Sequence, residues 1–270
     1  MSELVAVSTS NRVTTVRFNH PKRLNGWTLP MQDAFRAALD IAAEDDTVDA
    51  VILTGTGKYY SAGVDLGGSF KLGHPRELRA MIFERNRALF DLFITFPKPM
   101  VAAVNGRAIG APVTTAALCD RLIAAEEASF LTPFARVGLP AEGCSSVQFP
   151  RIMGEAAAER MLGAEGFEPS AAEALEMGLV HAVVSADALQ AEAQRVAESL
   201  SGKTREFRAG ATREELLEIN TAESHGVADG FLSSAFLMNQ FKFMRSRKKT
   251  VPALTFLALR VTRPAWSLLL

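Results

Sequence analysis

Hydrophobic and polar positions along the chain alternate between two periods. Short β-branched runs at 4–9 (LVAVST) and 13–18 (VTTVRF), separated by the turn-like Asn11-Arg12, predict a strand pair. Met31, Phe35, Leu39 and Ala42 then recur at helical spacing through 29–46, with Thr28 placed to cap and Pro30 suited to the first turn. The run VDAVILTGTG (48–57) is continuously apolar until its glycines, the pattern of a strand buried on both faces. A helix is predicted from Pro75 to Phe96, stopped by Pro97 and Pro99. A buried strand at 99–106, a helix at 111–119 and a strand at 121–131 come next. Helical patterns run from Glu142 to about Leu200, broken by GLVHAVVS (178–185), and residues 212–249 read as wholly helical. Strands alternating with helices imply an α/β fold with a largely parallel sheet. No internal repeat, low-complexity tract or long linker interrupts the 270 residues.

Composition narrows the class. Hydrophobic content of 48% with 22% charged residues is that of a globular protein, and a net charge of −1 provides no general field for nucleic acid. Cys119 and Cys144 read as buried, reduced thiols. The opening segment has neither the apolar core of a secretory leader nor the arginines of a transit peptide, and the last three leucines do not match a Ser-Lys-Leu address, so a cytoplasmic location is expected. Residues 250–270 are rich in Leu, but Pro252, Arg260, Arg263 and Pro264 interrupt them. That tail is expected to pack against its own protein or a sister subunit, without membrane contact.

Several chemistries fail on spacing. GTGKYY (55–60) carries Tyr60 where a dinucleotide fingerprint needs glycine, and Ser61 in YSAG has Tyr59 where a nucleophile elbow needs glycine. His20, His74, His181 and His225 are scattered, so no metal site is expected. Cys144 stands far from any histidine in sequence and reads as a small buried residue. The cluster Lys242, Arg245, Arg247, Lys248 and Lys249 reads either as a solvated helix end or as a site for a compact phosphate-bearing ligand.

Two turns remain. In YYSAGVDL (59–66), Gly63 permits a tight turn after a buried segment and Asp65 can cap the next one. In VNGRAIGAPVTT (104–115), Pro112 suits the first turn of a helix and leaves the N–H of Ala111 free where partial positive charge collects. Two such donors converging stabilise an oxygen that gains negative charge, although each alone is more often just a turn.

These two segments, with FNHPKRLNGWT (18–28), resemble the enoyl-CoA hydratase/isomerase (crotonase) family over about residues 3–200. The resemblance implies a ββα spiral core over 1–200 and a helical C-terminal region over 201–270 that builds a homotrimer or dimer of trimers. It implies acyl-CoA thioesters as substrates, with no separate cofactor, and the N–H groups of Val64 and Ala111 as the oxyanion hole. CoA and acyl contacts then fall to Lys22, Arg23, Leu24, Ala62, Gly63, Asp65, Leu66, Gly110 and Phe134. The family's hydratases use two glutamates; those positions are Thr114 and Phe134 here, and neither side chain is a general base near neutral pH. Glu142 in PAEGCSS resembles the single catalytic glutamate of Δ3,Δ2-enoyl-CoA isomerases of the peroxisomal type, which serve fatty acid beta-oxidation. On spacing alone it reads more readily as an acid in the first turn of a helix beginning near Ala141, where it complements the dipole. Phe134, Val137, Leu139 and Phe149 are expected to desolvate it. The alternatives are a hydratase or other acyl-CoA enzyme of the family, or a non-catalytic acyl-CoA binder.

Overall fold

The computed structural model describes residues 3–65 and 73–270. Strand β1 (Val5–Ser10) pairs antiparallel with β2 (Val13–Phe18). The turn between them puts Asn11 at φ 48° and Arg12 at φ 64°, the left-handed pair that matches hairpin twist. A short 3₁₀ turn, Pro21–Arg23, leads to α1 (Leu29–Glu44), where the Thr28 hydroxyl accepts from Met31 N–H. From there the chain repeats one motif three times. Strands β3 (Ala50–Gly55), β5 (Met100–Val104) and β7 (Arg121–Ala125) lie side by side and parallel in one sheet. Each passes directly into a short strand of a second sheet: β4 (Tyr59–Ser61), β6 (Arg107–Ile109) and β8 (Phe130–Leu131), in that order and again parallel. A helix closes each repeat: α2 (Pro75–Thr95), α3 (Ala111–Ala117) and the single turn α4 (Phe134–Val137).

The large sheet is completed as β1-β2-β3-β5-β7-β9, with β9 at Ala182–Val184. Both faces are covered, which explains the unbroken apolar runs. In β3, Val51 and Leu53 join the main core, whereas Ala50 and Ile52 face the opposite layer with Leu189, Ala193 and Ala197. Between β8 and β9 come α5 (Ser145–Met153), α6 (Glu155–Leu162) and α7 (Ala171–Glu176). Next come α8 (Leu189–Ser199), α9 (Arg213–Phe231), α10 (Ser234–Ser246) and α11 (Thr250–Trp266).

Four sequence expectations change. The strand expected at 121–131 is two, because Glu126 and Glu127 are exposed in a turn between β7 and β8. The short strands β4 and β6 stand where the sequence shows only turns; three residues are too few to display a period. The helical stretch 212–249 breaks at Leu232, and the Ser233 hydroxyl caps α10 by accepting from Phe236 N–H. The helix expected near Ala141 starts at Ser145, so Glu142 lies before it rather than in its first turn.

Candidate active site

The turn after β4 is fixed from both sides by the segment beyond β2. Trp27 N–H donates to the Gly63 carbonyl (2.8 Å), and Asp65 N–H donates to the Trp27 carbonyl (3.1 Å). This parallel bridge passes over Val64, whose own N–H has no hydrogen-bond partner among the described residues. Ala62 N–H donates to the Leu24 carbonyl (2.9 Å), and the Asn25 amide donates to the carbonyls of Thr56 and Tyr59. Ser61 is buried and structural: its hydroxyl donates to the Asn25 carbonyl and accepts from Gly63 N–H. Gly63 adopts φ 92°, and a Cβ there would sit 2.7 Å from the Ile109 carbonyl oxygen. The absence of a side chain lets the first turn touch the second, backbone to backbone.

In that second turn, Gly110 N–H donates to the Leu131 carbonyl (2.7 Å), and α3 begins at Ala111. The helix is buried along its whole length. Its first N–H, that of Ala111, has no partner among the described residues, and Pro112 has no N–H to offer. Val64 and Ala111 both line one cavity of about 210 Å³, together with Ala62, Gly63 and Gly110. Two unbonded N–H groups from residues lining one cavity can receive an oxygen that gains negative charge.

Glu142 lines the same cavity. Most of the remaining lining is apolar, including Leu29, Ile82, Leu89, Phe134, Val137, Leu139 and Phe231, and Gln32, Arg85 and Asn86 are its other polar side chains. One carboxylate oxygen accepts from the Asn86 amide at 2.7 Å. The orientation of that amide is set by its other end, where Asn86 Oδ1 accepts from the Ser224 hydroxyl at 2.9 Å. Burial pushes the Glu142 carboxyl up to about 7; the Asn86 hydrogen bond pulls against the rise and the negative Glu223 adds to it. Glu223 reaches across from α9 to accept from Cys144 N–H (2.6 Å) and Ser146 N–H (2.9 Å), holding the start of α5 and the turn that carries Glu142.

The structure brings seven of the expected site residues to this cavity: Ala62, Gly63, Val64, Gly110, Ala111, Phe134 and Glu142. Lys22, Arg23 and Leu24 are exposed on the 3₁₀ turn beside it and do not line it, although the Leu24 backbone holds Ala62. Asp65 contributes its N–H to the Trp27 bridge. Leu66 lies outside the described residues. Thr114 is fully buried beneath the Glu142–Gly143 backbone: a Cβ on Gly143 would stand 2.7 Å from its hydroxyl, which donates to the Ala111 carbonyl. Phe149, expected beside Glu142, belongs to the main core and is absent from the cavity wall. Cys144 is buried with its thiol against the Leu216 carbonyl, and burial raises its pKa. Among the described residues no group of three or more His, Cys, Asp or Glu is placed to hold a metal ion.

Sequence reasoning missed Asn86, Ser224 and Glu223. The signal for Asn86 was present as a polar residue on the apolar stripe Ile82, Leu89, Phe93 of α2. Ser224 and Glu223 carried no such signal, because their burial in α9 shows only once that helix is packed.

A family model for enoyl-CoA hydratase/isomerase matches residues 8–229, and the chain belongs to that family. Human enoyl-CoA delta isomerase 2 is 38% identical over 192 residues, which cover 70% of this chain and 48% of that protein. The 1,2-epoxyphenylacetyl-CoA isomerase of Escherichia coli (strain K12) is 32% identical over 203 residues, 74% of this chain and 77% of that one. The crystal structure of an enoyl-CoA hydratase/isomerase from Pseudoalteromonas atlantica T6c superposes with a TM-score of 0.78 at 30% identity, covering 90% of this chain and 97% of that one. The crotonase-like α/β fold is thereby shown. This chain spans about half the length of the human relative.

Proposed function

We propose that the protein is a Δ3,Δ2-enoyl-CoA isomerase in which Glu142 moves a proton from C2 to C4 of a 3-enoyl thioester. The observation that carries this reading is a single desolvated carboxylate sharing a small apolar cavity with the two unbonded N–H groups of Val64 and Ala111. A thioester carbonyl accepting from both donors has an acidic α-carbon, because the electrons left by the departing proton collect on the held oxygen. Each donor of this type lowers such a barrier by about 3 kcal/mol. Glu142 takes the C2 proton; the resulting dienolate is delocalised to C4; the same carboxyl returns the proton there, and the double bond moves to C2–C3. One residue performs both steps because base and acid are needed in succession. A carboxyl near pKa 7 is suited to both.

Position 114 supports the isomerase over the hydratase reading. Water addition needs a second acid, and the family's two hydratase positions hold a fully buried Thr114, which does not line the cavity, and the apolar Phe134. Mixing the protein with 3-hexenoyl-CoA should raise ultraviolet absorbance as the double bond becomes conjugated with the thioester. Water addition to a 2-enoyl-CoA, with no conjugation of the 3-enoyl substrate, would instead favour the hydratase.

The carboxylate is the form that begins the reaction, so kcat/KM should rise with pH through about 7, tracking the raised pKa of Glu142. Asn86→Leu removes the donor that favours the ionised form. That variant is expected to move this limb to higher pH and to cost about tenfold in kcat/KM at neutral pH, with little change above it. A pH profile superimposable on the parent's would show that Asn86 does not act on Glu142.

A further inference from the structure

The cavity runs between two separate groups of apolar side chains. At one end Ala111 is part of the main core, and Val64 packs against that core. At the other, Ile82 belongs to a small cluster with Val227 and Ala228, against which Met81 and Phe231 pack. The two N–H donors therefore mark the first end, while α2 and the last turn of α9 form the second. That second end is shut by a helix backbone. Leu139, part of the cavity wall, is pressed against α9: a Cβ on Gly230 would stand 3.1 Å from Leu139 Cδ2 and 2.9 Å from Pro140 Cδ. Only glycine at 230 lets the helix come so close. Leu139 N–H donates to the Phe134 carbonyl (2.9 Å), which fixes the turn from its other side. Behind Phe231 stands the buried ring of Phe236, edge-on at 4.7 Å between centroids. Arg79 of α2 also donates twice to the Asp229 carboxylate, at 2.6 and 3.1 Å, tying the two helices together beside this end.

We propose that this shut end makes the protein selective for short acyl chains, of about six to eight carbons, with Phe231 and Leu139 as the residues that set the limit. The proposal rests on the isomerase reading and specifies its substrate. A thioester whose carbonyl is held by Val64 and Ala111 must send its CoA portion out of the cavity. The end behind Phe231 and Leu139 offers no exit, so the acyl chain occupies it. Volume then sets the length. A cavity of roughly 150 Å³ accommodates one six-carbon ring, so about 210 Å³ accommodates about eight carbon-sized atoms. Carbons beyond those must displace Phe231 or Leu139 from packed positions or stay in water, and either way the gain from burying them is lost.

Values of kcat/KM for 3-hexenoyl-, 3-octenoyl- and 3-dodecenoyl-CoA test it. The dodecenoyl thioester should be poorer than the octenoyl one by at least about tenfold. Phe231→Ala, and separately Leu139→Ala, open the shut end and should each raise the dodecenoyl-to-hexenoyl ratio about tenfold. Melting temperatures show which variants are folded, and the parent's own ranking decides if neither is. Dodecenoyl-CoA turned over as well as octenoyl-CoA by the parent, or an unchanged ratio in a folded variant, overturns the proposal. A parent that isomerises none of the three thioesters removes the isomerase reading instead. The length limit is then read from binding of the saturated hexanoyl- and dodecanoyl-CoA: tighter binding of the shorter chain sustains it, and equal or tighter binding of the longer one overturns it.

Discussion

Glu142→Gln is expected to lower kcat for 3-enoyl-CoA isomerisation by ~10³- to 10⁴-fold while KM changes little. The amide retains the size of the side chain and can still meet Asn86, so the cavity is preserved and only the proton-carrying group is lost. The same substitution is expected to stabilise the fold at alkaline pH, and the sign comes from linkage. A carboxyl whose pKa is raised from 4.5 to about 7 on folding contributes its stability in full below the unfolded value and loses it as pH rises through the folded one. At pH 8 the parent holds a desolvated carboxylate, and the neutral amide removes that burden, a difference of at most about 3 kcal/mol. Single-turnover absorbance measurements give the first effect, and denaturant melts at pH 5 and 8 the second. A variant that turns over like the parent would remove Glu142 from the mechanism. One that is no more stable than the parent at pH 8 would show that the carboxyl is well solvated.

The site was legible through the family resemblance of its two turns and of Glu142; the local pattern alone reads as two plain turns and an acid at a helix start. Pro112 before Val113, the glycines at 63 and 110, and the glutamate between Pro140 and Gly143 each announce a backbone event within a few residues, and the two turns and Glu142 indeed meet at one cavity. The long helices and the buried strands were equally plain, because periods of 3.6 residues and unbroken apolar runs need only their own length to show. What stayed hidden depends on contacts between distant segments. The second sheet is built from strands of three, three and two residues, whose pairing is set by the passage of β3, β5 and β7 out of the large sheet rather than by their own side chains. Asn86 and Ser224 lie 138 positions apart, and their roles emerge only when α2 and α9 pack together. Glu142 itself falls outside the helix its spacing suggests, since Cys144 at φ 64° stops α5 from extending back to it.

Gly63→Ala is expected to reduce kcat by at least ~10²-fold and to cost about 2 kcal/mol of stability or more. Two separate penalties act there. The residue sits at φ 92°, which an L side chain rarely adopts, and its new methyl would lie 2.7 Å from the carbonyl oxygen of Ile109. That obstacle is backbone, so relief requires either the 62–65 turn or the 109–111 turn to retreat. Either movement separates the N–H of Val64 from that of Ala111, and a donor displaced from the developing oxyanion forfeits most of its effect on the barrier. Gly57→Ala isolates the first penalty. Gly57 also has a positive φ, 80°, but its added methyl would meet only Pro21 Cβ at 3.4 Å, and the residue is exposed away from the cavity. It should therefore lose stability while turning over at close to the parent's rate. If Gly63→Ala instead retained full activity at a temperature where it is folded, the contact between the two turns would not be what positions the donors, and the reading of Val64 and Ala111 as a pair would fail with it.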